Sequence, residues 1–364
     1  MNKTHSDIAT RPAPAKTARH RATFSLGITA NYPDSEETRL FMTPEACGLL
    51  VTSGISVIME AGAGININYS DKAYATAGVE IKTRPEVLAC DVVLSVRPLD
   101  CQDTLHLKKR ATLLTLADPE LPRDVLQALL DRDVTMIALD RLVSDNGVRI
   151  FARLLDEIDG RAAILYAQEE LSFLGDGKGV LMGGIPGIQP CEVLIIGCGE
   201  RVISAAKAAI QIGARVTLMD NDIAALDNAS VICGPHLITS SIHPHVLFND
   251  VKHADVIILD KCTRDFTMPD HLSLAMKDNI YLLDLTQTVP SLIVPRTVAM
   301  AISNVLINFF YDAINAGGMR RMVTACEGVR QGLVTYSGQL TDEVLAERYG
   351  MHALDTGILL TQTN

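Results

Sequence analysis

The stretch VLIIGCGERVISAAKAAIQIGARVTLMD, residues 193–220, decides the fold of this chain. It begins with a short apolar run, as in a buried strand, and Gly197-Cys198-Gly199 follows directly. An alanine-rich segment with good helix formers comes next, and a second apolar run ends at Asp220. A strand, a glycine turn, a helix and another strand in this order predict a βαβ unit within a parallel sheet.

The glycine turn has the form of a dinucleotide-binding loop. In such a loop the first glycine makes the tight turn, the second lets a pyrophosphate approach the backbone, and the third allows close helix packing. Gly197 and Gly199 occupy the first two positions, and Val202 occupies the third. Asp220 stands where an acid accepts hydrogen bonds from the adenine ribose and favours NAD. We therefore predict that these four residues contact NAD, with Val202 holding the helix further from the strand; a Rossmann-like fold that binds no dinucleotide is the alternative.

The overall composition limits the classes of protein to consider. With 364 residues the chain is long enough for two ordinary domains, and its net charge of −11 argues against nucleic acid as a partner. No apolar run reaches the roughly 18 residues that a membrane span needs, so no membrane partner is expected. The eight cysteines form no C-x-x-C pair, which favours buried free thiols in a cytoplasmic protein.

Strand and helix patterns alternate on both sides of the glycine turn. Strand patterns include residues 91–96 and 111–116 before the turn and 255–260 after it. This alternation predicts an α/β fold with parallel sheets and right-handed crossovers. Residues 151–174 have the pattern of a long amphipathic helix that could link two lobes. Residues 1–22 are basic, lack an apolar core and are expected to form a disordered arm.

Several longer motifs resemble those of the alanine dehydrogenase and transhydrogenase-α family. Residues 36–81 are similar to its E-x-R-V-A-x-T-P opening, its E-x-G-A-G turn and its S-D-x-x-Y-x-x-A-G-A helix. DVVLSVRPL (91–99) resembles the family strand of type D-x-x-x-K-V-K-x-P, and residues 177–199 resemble the loop that enters the nucleotide domain. VPRTVAMAISNVL (294–306) resembles the helix that returns to the first domain. The resemblance covers nearly the whole chain.

This resemblance implies two Rossmann-like lobes with a cleft between them. The substrate lobe would comprise residues 23–150 and 290–364, and the dinucleotide-binding lobe with its linking helix would comprise residues 151–289. The family reaction converts L-alanine and NAD reversibly to pyruvate, ammonium and NADH, so the implied partner is a small amino acid or 2-oxo acid. Family members are usually dimers or hexamers, so a homo-oligomer is expected.

The resemblance also indicates where the family's catalytic residues would lie. The arginine that holds the substrate carboxylate matches Arg39, and a guanidinium suits this role. The family lysine matches Ser95, and Arg97, expected on the same strand face, is the cation that could replace it. We therefore predict Arg39, Arg97 and Ser95 as catalytic. The family histidine has no counterpart, since His106 fits no register, and Thr288 stands in place of the water-activating aspartate.

Two more departures concern the nucleotide lobe. A long family loop is absent between Asp284 and the helix that begins near residue 294. Asp156 occupies the position of a family serine on the linking helix. An acid at that position would repel the phosphates of a bound dinucleotide.

These departures leave two function classes open. The first is an alanine dehydrogenase-like, NAD-dependent oxidoreductase with an altered catalytic set. The second is a catalytically impaired member of this fold that acts as a nucleotide-binding or small-acid-binding regulatory subunit. A reductase that forms N-carboxyalkyl amino acids is a third idea, supported by fold analogy alone. We adopt the first as the working hypothesis, because the family motifs cover nearly the whole chain.

Overall fold

The computed structural model describes residues 24–357, apart from 176, 261–271, 273–275, 278 and 279. The arm predicted for residues 1–22 lies outside the described residues. Within them, strands and helices alternate along most of the chain and form two sheets flanked by helices. The predicted α/β class is therefore confirmed.

The larger sheet contains eight of the described strands, which come from both ends of the chain. With strands numbered in chain order, they are β1 (Ser25–Ile28), β2 (Ser56–Glu60), β3 (Glu80–Lys82), β4 (Val92–Leu94), β5 (Thr112–Thr115), β6 (Thr135–Ala138), β12 (Leu333–Tyr336) and β13 (Gln339–Leu340). Their order is β13-β12-β6-β5-β4-β1-β2-β3. The pairs from β6 to β3 are parallel, whereas β12 is antiparallel to both of its neighbours.

The smaller sheet contains five of the described strands. They are β7 (Glu192–Ile196), β8 (Arg215–Met219), β9 (Leu237–Ser240), β10 (Val256–Leu259) and β11 (Tyr281–Asp284), and their order is β11-β10-β7-β8-β9. All of these pairs are parallel. The chain runs outward from β7 to β9 and then crosses to β10 on the other side of β7. The carboxyl ends of β7 and β10 therefore form the topological switch point where α/β sheets bind ligands.

Helices cover both sheets and connect them. In chain order the described α-helices are α1 (Pro44–Thr52), α2 (Asp71–Thr76), α3 (Arg84–Leu88), α4 (Cys101–His106), α5 (Arg123–Asp131), α6 (Ile150–Leu171), α7 (Glu200–Ile212), α8 (Ile223–Cys233), α9 (Pro244–His253), α10 (Pro295–Ala316), α11 (Met319–Ala325), α12 (Glu327–Arg330) and α13 (Glu343–Tyr349). A short 3₁₀ helix, Pro290–Ile293, precedes α10. The chain passes from the larger sheet to the smaller one through α6 and returns through α10.

Helix α10 has the length and apolarity of a membrane span, which the sequence analysis did not recognise. It has 22 residues and a mean hydropathy of 1.4 over its most apolar window. These values are weak support for a membrane span, because the core helix of a soluble protein passes the same test. Ile302, Leu306 and Phe310 are fully buried in the core of the larger lobe, so α10 packs as a core helix in this structure.

Candidate functional site

The predicted glycine turn lies at the switch point of the smaller sheet. Gly197 follows β7 with a φ of +111°, a conformation that favours glycine, and its amide donates to the carbonyl of Met219 at 2.8 Å. Gly199 is the N-cap of α7 and, as a glycine, provides no side-chain cap of its own. The helix dipole and the first-turn amides of a 13-residue helix therefore face the crevice, which is a favourable arrangement for an anion.

Asp220 directly follows β8, beside this turn. Asp220 is 5 % exposed, and its Oδ1 accepts a hydrogen bond from the amide of Asp222 at 2.9 Å. Asp222 is itself the N-cap of α8, because its side chain accepts from the amides of Ala224 and Ala225. The carboxylate of Asp220 is thus oriented by a short turn at the edge where an adenine ribose would lie.

Val202, at the third position of the loop, is fully buried in the core of the smaller lobe. The closest helix packing in this region lies elsewhere, where α6 crosses α7 at Gly160. A Cβ atom at Gly160 would lie 2.2 Å from the carbonyl oxygen of Arg201 and 2.7 Å from the Cβ of Ser204. A glycine on the linking helix therefore allows the tight approach of α7, a contact that the sequence analysis missed.

Arg201 connects α7, α6 and the end of β11. Its Nη1 donates to the carbonyl of Leu285 at 2.8 Å, and its guanidinium lies 3.4 Å from Asp156 and 3.8 Å from Asp159. Burial raises the pKa of Asp156, the cation of Arg201 opposes this shift, and the charges of Asp159 and Asp260 add to it. Asp156, which replaces a family serine, is therefore a partly buried carboxyl group whose negative charge Arg201 compensates only in part.

Arg39, predicted to hold a substrate carboxylate, already holds an internal one. Its Nε and Nη2 each donate to one carboxylate oxygen of Glu37 at 2.7 Å. Both side chains are 6 % exposed. Since a bidentate pair uses two of the guanidinium's five donors in its planar fork, Arg39 has limited capacity for a second carboxylate.

Ser95 and Arg97 do not share a strand face, because β4 ends at Leu94. Both lie in the following loop, where the Ser95 hydroxyl donates to the carbonyl of Arg97 at 2.7 Å. The Arg97 side chain is 53 % exposed and lies 3.5 Å from Asp118. The expectation that regular strand geometry would bring the two side chains together is thus wrong, since the strand is shorter than its apolar pattern.

The remaining family positions also form local contacts. The amides of Thr286 and Thr288 donate to the side chain and the carbonyl of Asp284, respectively, so the segment after β11 is a tight turn. His106 lies in the last turn of α4, where Nδ1 contacts the carbonyl of Gln102 in its own helix at 2.8 Å. His106 thus bonds within its own helix, and Thr288 offers a neutral hydroxyl where the family has a carboxylate.

A polar network at the carboxyl edge of the larger sheet was not predicted. Tyr32 donates to Asp103 at 2.5 Å, and the guanidinium of Arg84 donates to Asp103 at 2.6 Å and to Glu60 at 2.9 Å. The same guanidinium lies 4.3 Å from the centre of the Tyr32 ring. Burial raises the pKa of Tyr32 to about 12, so its hydroxyl stays protonated. These residues stabilise the loops of this edge. Because they lie far apart in the sequence, no local sequence pattern indicates the network.

Two α/β lobes, one of them a Rossmann-type lobe with a glycine turn at its switch point, define a class of nucleotide-dependent proteins. Comparisons with known proteins specify the class further. The family models "Alanine dehydrogenase/PNT, N-terminal domain" and "Alanine dehydrogenase/PNT, C-terminal domain" match residues 28–154 and 163–260. The chain belongs to the alanine dehydrogenase/PNT family, as its motifs predicted. NAD is the cofactor that this membership supports.

Individual relatives agree with the family models. The chain is 26 % identical to alanine dehydrogenase of Bacillus subtilis, with 87 % of this chain and 92 % of the relative covered. It is 27 % identical to alanine dehydrogenase 2 of Staphylococcus aureus strain Mu50, with 87 % and 94 % covered. The similarity spans nearly the full length of each protein, so both lobes have counterparts in these relatives.

Solved structures are similar in fold. An L-alanine dehydrogenase matches with a TM-score of 0.79 at 21 % identity, covering 90 % of this chain and 99 % of the other. A transhydrogenase from Sinorhizobium meliloti matches with a TM-score of 0.72 at 16 % identity, covering 87 % and 99 %. These matches confirm the predicted fold of two lobes.

Proposed function

We propose that this protein is an NAD-dependent oxidoreductase that acts on an amino acid or a 2-oxo acid, with a catalytic set that differs from that of its relatives. The observation that supports this proposal most strongly is the arrangement at the switch point. Gly197 makes the turn, the N-terminus of α7 begins at Gly199 beside it, and Asp220 follows the next strand. This arrangement suits the adenosine and pyrophosphate parts of NAD.

Each of these residues would have a separate role with the cofactor. The backbone at Gly197 and Gly199 would contact the pyrophosphate, and Asp220 would accept hydrogen bonds from the adenine ribose. Val202, buried behind the loop, would support α7 rather than touch NAD. NAD would supply the hydride chemistry, and the protein would orient it against the substrate.

On the substrate side, we propose that Arg39 and Arg97 provide the positive charge and that Ser95 positions the loop of Arg97. The bidentate bond to Glu37 leaves Arg39 with its outer donors for a substrate carboxylate. Arg97 is half-exposed and only loosely paired with Asp118, so its guanidinium can reorient. Both cations are weaker replacements for a lysine ammonium aimed at a carbonyl oxygen, and slow catalysis is the expected consequence.

A catalytically impaired, ligand-binding protein is the second candidate. It is favoured by the internal bonds of Arg39 and Ser95 and by the absence of an acid at Thr288. Titration of the purified protein with NADH, followed by fluorescence, and then addition of pyruvate with ammonium separates the two candidates. Saturable binding with slow NADH oxidation supports the oxidoreductase. Saturable binding with no oxidation of NADH supports the second candidate in its nucleotide-binding form, and no binding of NADH refutes both the oxidoreductase and that form.

We also propose that the protein is a homo-oligomer. A short segment before β7 exposes many large apolar side chains: Phe173 is 86 % exposed, Leu174 88 %, Leu181 67 %, Ile185 51 % and Ile188 64 %. Exposed large apolar side chains concentrated in one segment are typical of a protein interface. Light scattering should show dissociation of the Leu181→Asp/Ile188→Asp variant. An unchanged mass for this variant would exclude this surface as the interface.

The matched control is Ile223→Asp, a change at an equally exposed position in α8 that lies outside this segment. It should retain the wild-type mass. A cytoplasmic location is part of the same proposal, because the cysteines within the described residues are free thiols. Small amino acids or 2-oxo acids are the proposed partners, with no role for nucleic acid or membrane.

A further inference from the structure

A pocket lies at the amino edge of the larger sheet, where its parallel strands begin. It has a volume of about 330 Å³ and is formed by the starts of three strands and by the turn between α10 and α11. Its lining includes Phe24 before β1, Val92 in β4, Thr112 in β5, and the side chains of Arg320 and Arg321. Pockets of roughly 300–1,000 Å³ are the usual size for small-molecule ligands.

The charges in this pocket are unbalanced. Arg110 is paired with Asp133 at 3.0 Å, and Asp91 is paired with Lys108. In contrast, no carboxylate among the described residues lies within ion-pair distance of Arg320 or Arg321, and the only polar contact of the Arg320 side chain there is Ser337, at 3.2 Å. Two consecutive arginines in a chain of net charge −11 thus form a local positive site.

The turn that precedes α11 fixes one of these arginines. Gly317 and Gly318 have φ values of +86° and +118°, which favour glycine. A Cβ atom at Gly317 would lie 2.9 Å from Nη1 of Arg321 and 3.3 Å from its Cδ. The Arg321 side chain therefore lies across this glycine, and any larger residue there would displace it. At Gly318 an added Cβ would meet nothing within 4 Å, so this side of the turn stays open.

We infer that this pocket binds a small phosphate-bearing polyanion at a site separate from the cofactor cleft. The planar donors of two guanidinium groups match the oxygens of a phosphate, and neither Arg320 nor Arg321 must give up a carboxylate to bind one. The two arginines are consecutive residues at one side of the pocket, which favours a compact anion such as pyrophosphate. This inference does not depend on the proposed function, because the pocket shares no residue with the switch point.

The test is calorimetric titration of the full chain with inorganic pyrophosphate in the presence of saturating NADH, which keeps the cofactor cleft occupied. Wild type should show saturable binding, and the Arg320→Gln/Arg321→Gln variant should bind about tenfold more weakly or worse, because it loses charge-assisted hydrogen bonds. Gly317→Ala should also weaken binding by displacing Arg321. Arg215→Gln, which changes an exposed arginine at the same kind of edge in the smaller sheet, should bind like wild type.

Equal affinity for wild type and the double variant would overturn the inference, as would the absence of saturable binding by wild type. Competition between pyrophosphate and NADH would also overturn it, because it would place the anion in the cleft. Substituting citrate for pyrophosphate separates phosphate recognition from general anion binding: the inference requires tighter binding of pyrophosphate. Thermal unfolding of each variant verifies that a loss of binding occurs in a folded protein.

Discussion

Both sheets of this protein have polar groups at the carboxyl edge of their parallel strands, yet these groups are arranged differently. At the carboxyl edge of the smaller sheet, Gly199 provides no side-chain cap for α7, and Asp220 accepts a hydrogen bond from the backbone amide of Asp222. At the carboxyl edge of the larger sheet, Arg39 is bonded to Glu37 and Ser95 to the Arg97 carbonyl. The first edge has groups available for a ligand, whereas the second uses its groups to stabilise its own loops.

This difference teaches that two halves of one site can diverge independently. Cofactor binding requires a backbone turn and one acid, and both remain in place. Turnover requires several side chains that act together, and loss of one member removes much of the effect of the others. A family fold that keeps the glycine turn and the acid of its nucleotide lobe is therefore a weak guide to the rate of the reaction.

We expect the largest effect from the loss of Arg39, because its ion pair with Glu37 stabilises the folded protein. Arg39→Ala leaves the buried Glu37 carboxylate without its partner, so the free energy of unfolding should fall by about 3–5 kcal/mol. Urea unfolding measures this change. The double variant Glu37→Gln/Arg39→Gln, which removes both charges, should recover most of the loss. If Arg39→Ala is as stable as wild type, the pair is not the internal contact that distinguishes this edge.

We expect the next largest effect at the glycine turn, on the carboxyl edge of the smaller sheet. Gly197→Val places a β-branched side chain at a φ of +111°, so the turn must change and NADH binding should weaken by about tenfold or more. Fluorescence titration with NADH measures the affinity. Gly213→Val is the matched control, since Gly213 ends the same helix with a φ of +97° but lies far from the turn. This control should lose stability and keep its affinity; equal loss of affinity in both variants would contradict the assignment.

A smaller effect concerns Asp156. Because burial raises its pKa, the folded protein holds this proton more tightly than the unfolded chain does. The resulting stability is present below the ordinary aspartate pKa and is lost as pH rises through the raised one. Asp156→Asn removes this loss, so its stability relative to wild type should increase with pH across that range.

Thermal unfolding over a series of pH values measures this difference between wild type and the Asp156→Asn variant. The same variant should bind NADH more tightly at neutral pH, since it removes a negative charge near the phosphates. Asp118→Asn, a change to a partly exposed acid on the other lobe, serves as the control. A stability difference between Asp156→Asn and wild type that does not vary with pH would show that Asp156 titrates as an ordinary surface acid.

Much of the fold could be predicted from sequence, because most strands are apolar runs bounded by turn signals. The exceptions have clear causes. Strand β3 is a three-residue segment, Glu-Ile-Lys, that is too short and polar to recognise. Strand β12 pairs antiparallel with β6, and the paired residues Met136 and Thr335 are 199 positions apart. Strand β4 is shorter than its apolar pattern, which moved Ser95 and Arg97 into a loop. A sequence pattern predicts the existence of a strand more reliably than it predicts the residue at which the strand ends.

The candidate site was predictable only where one local motif contains it. Gly197, Gly199 and Asp220 belong to a single βαβ unit, so spacing along the chain was sufficient. The contacts of Arg201 with Asp156 and Leu285 span 45 and 84 positions, and no sequence pattern indicates them. Even the close pair of Glu37 and Arg39 depends on the path of a loop, which residue types do not determine.

One measurement tests the central claim most directly: the rate of NADH oxidation with pyruvate and ammonium, as a function of NADH concentration, beside the Bacillus subtilis relative. An intact nucleotide edge predicts a rate that saturates with NADH. An altered substrate edge predicts a kcat at least about a hundredfold below that of the relative, the usual contribution of a single acid–base group. A rate without saturation by NADH, or a kcat equal to that of the relative, would contradict the account.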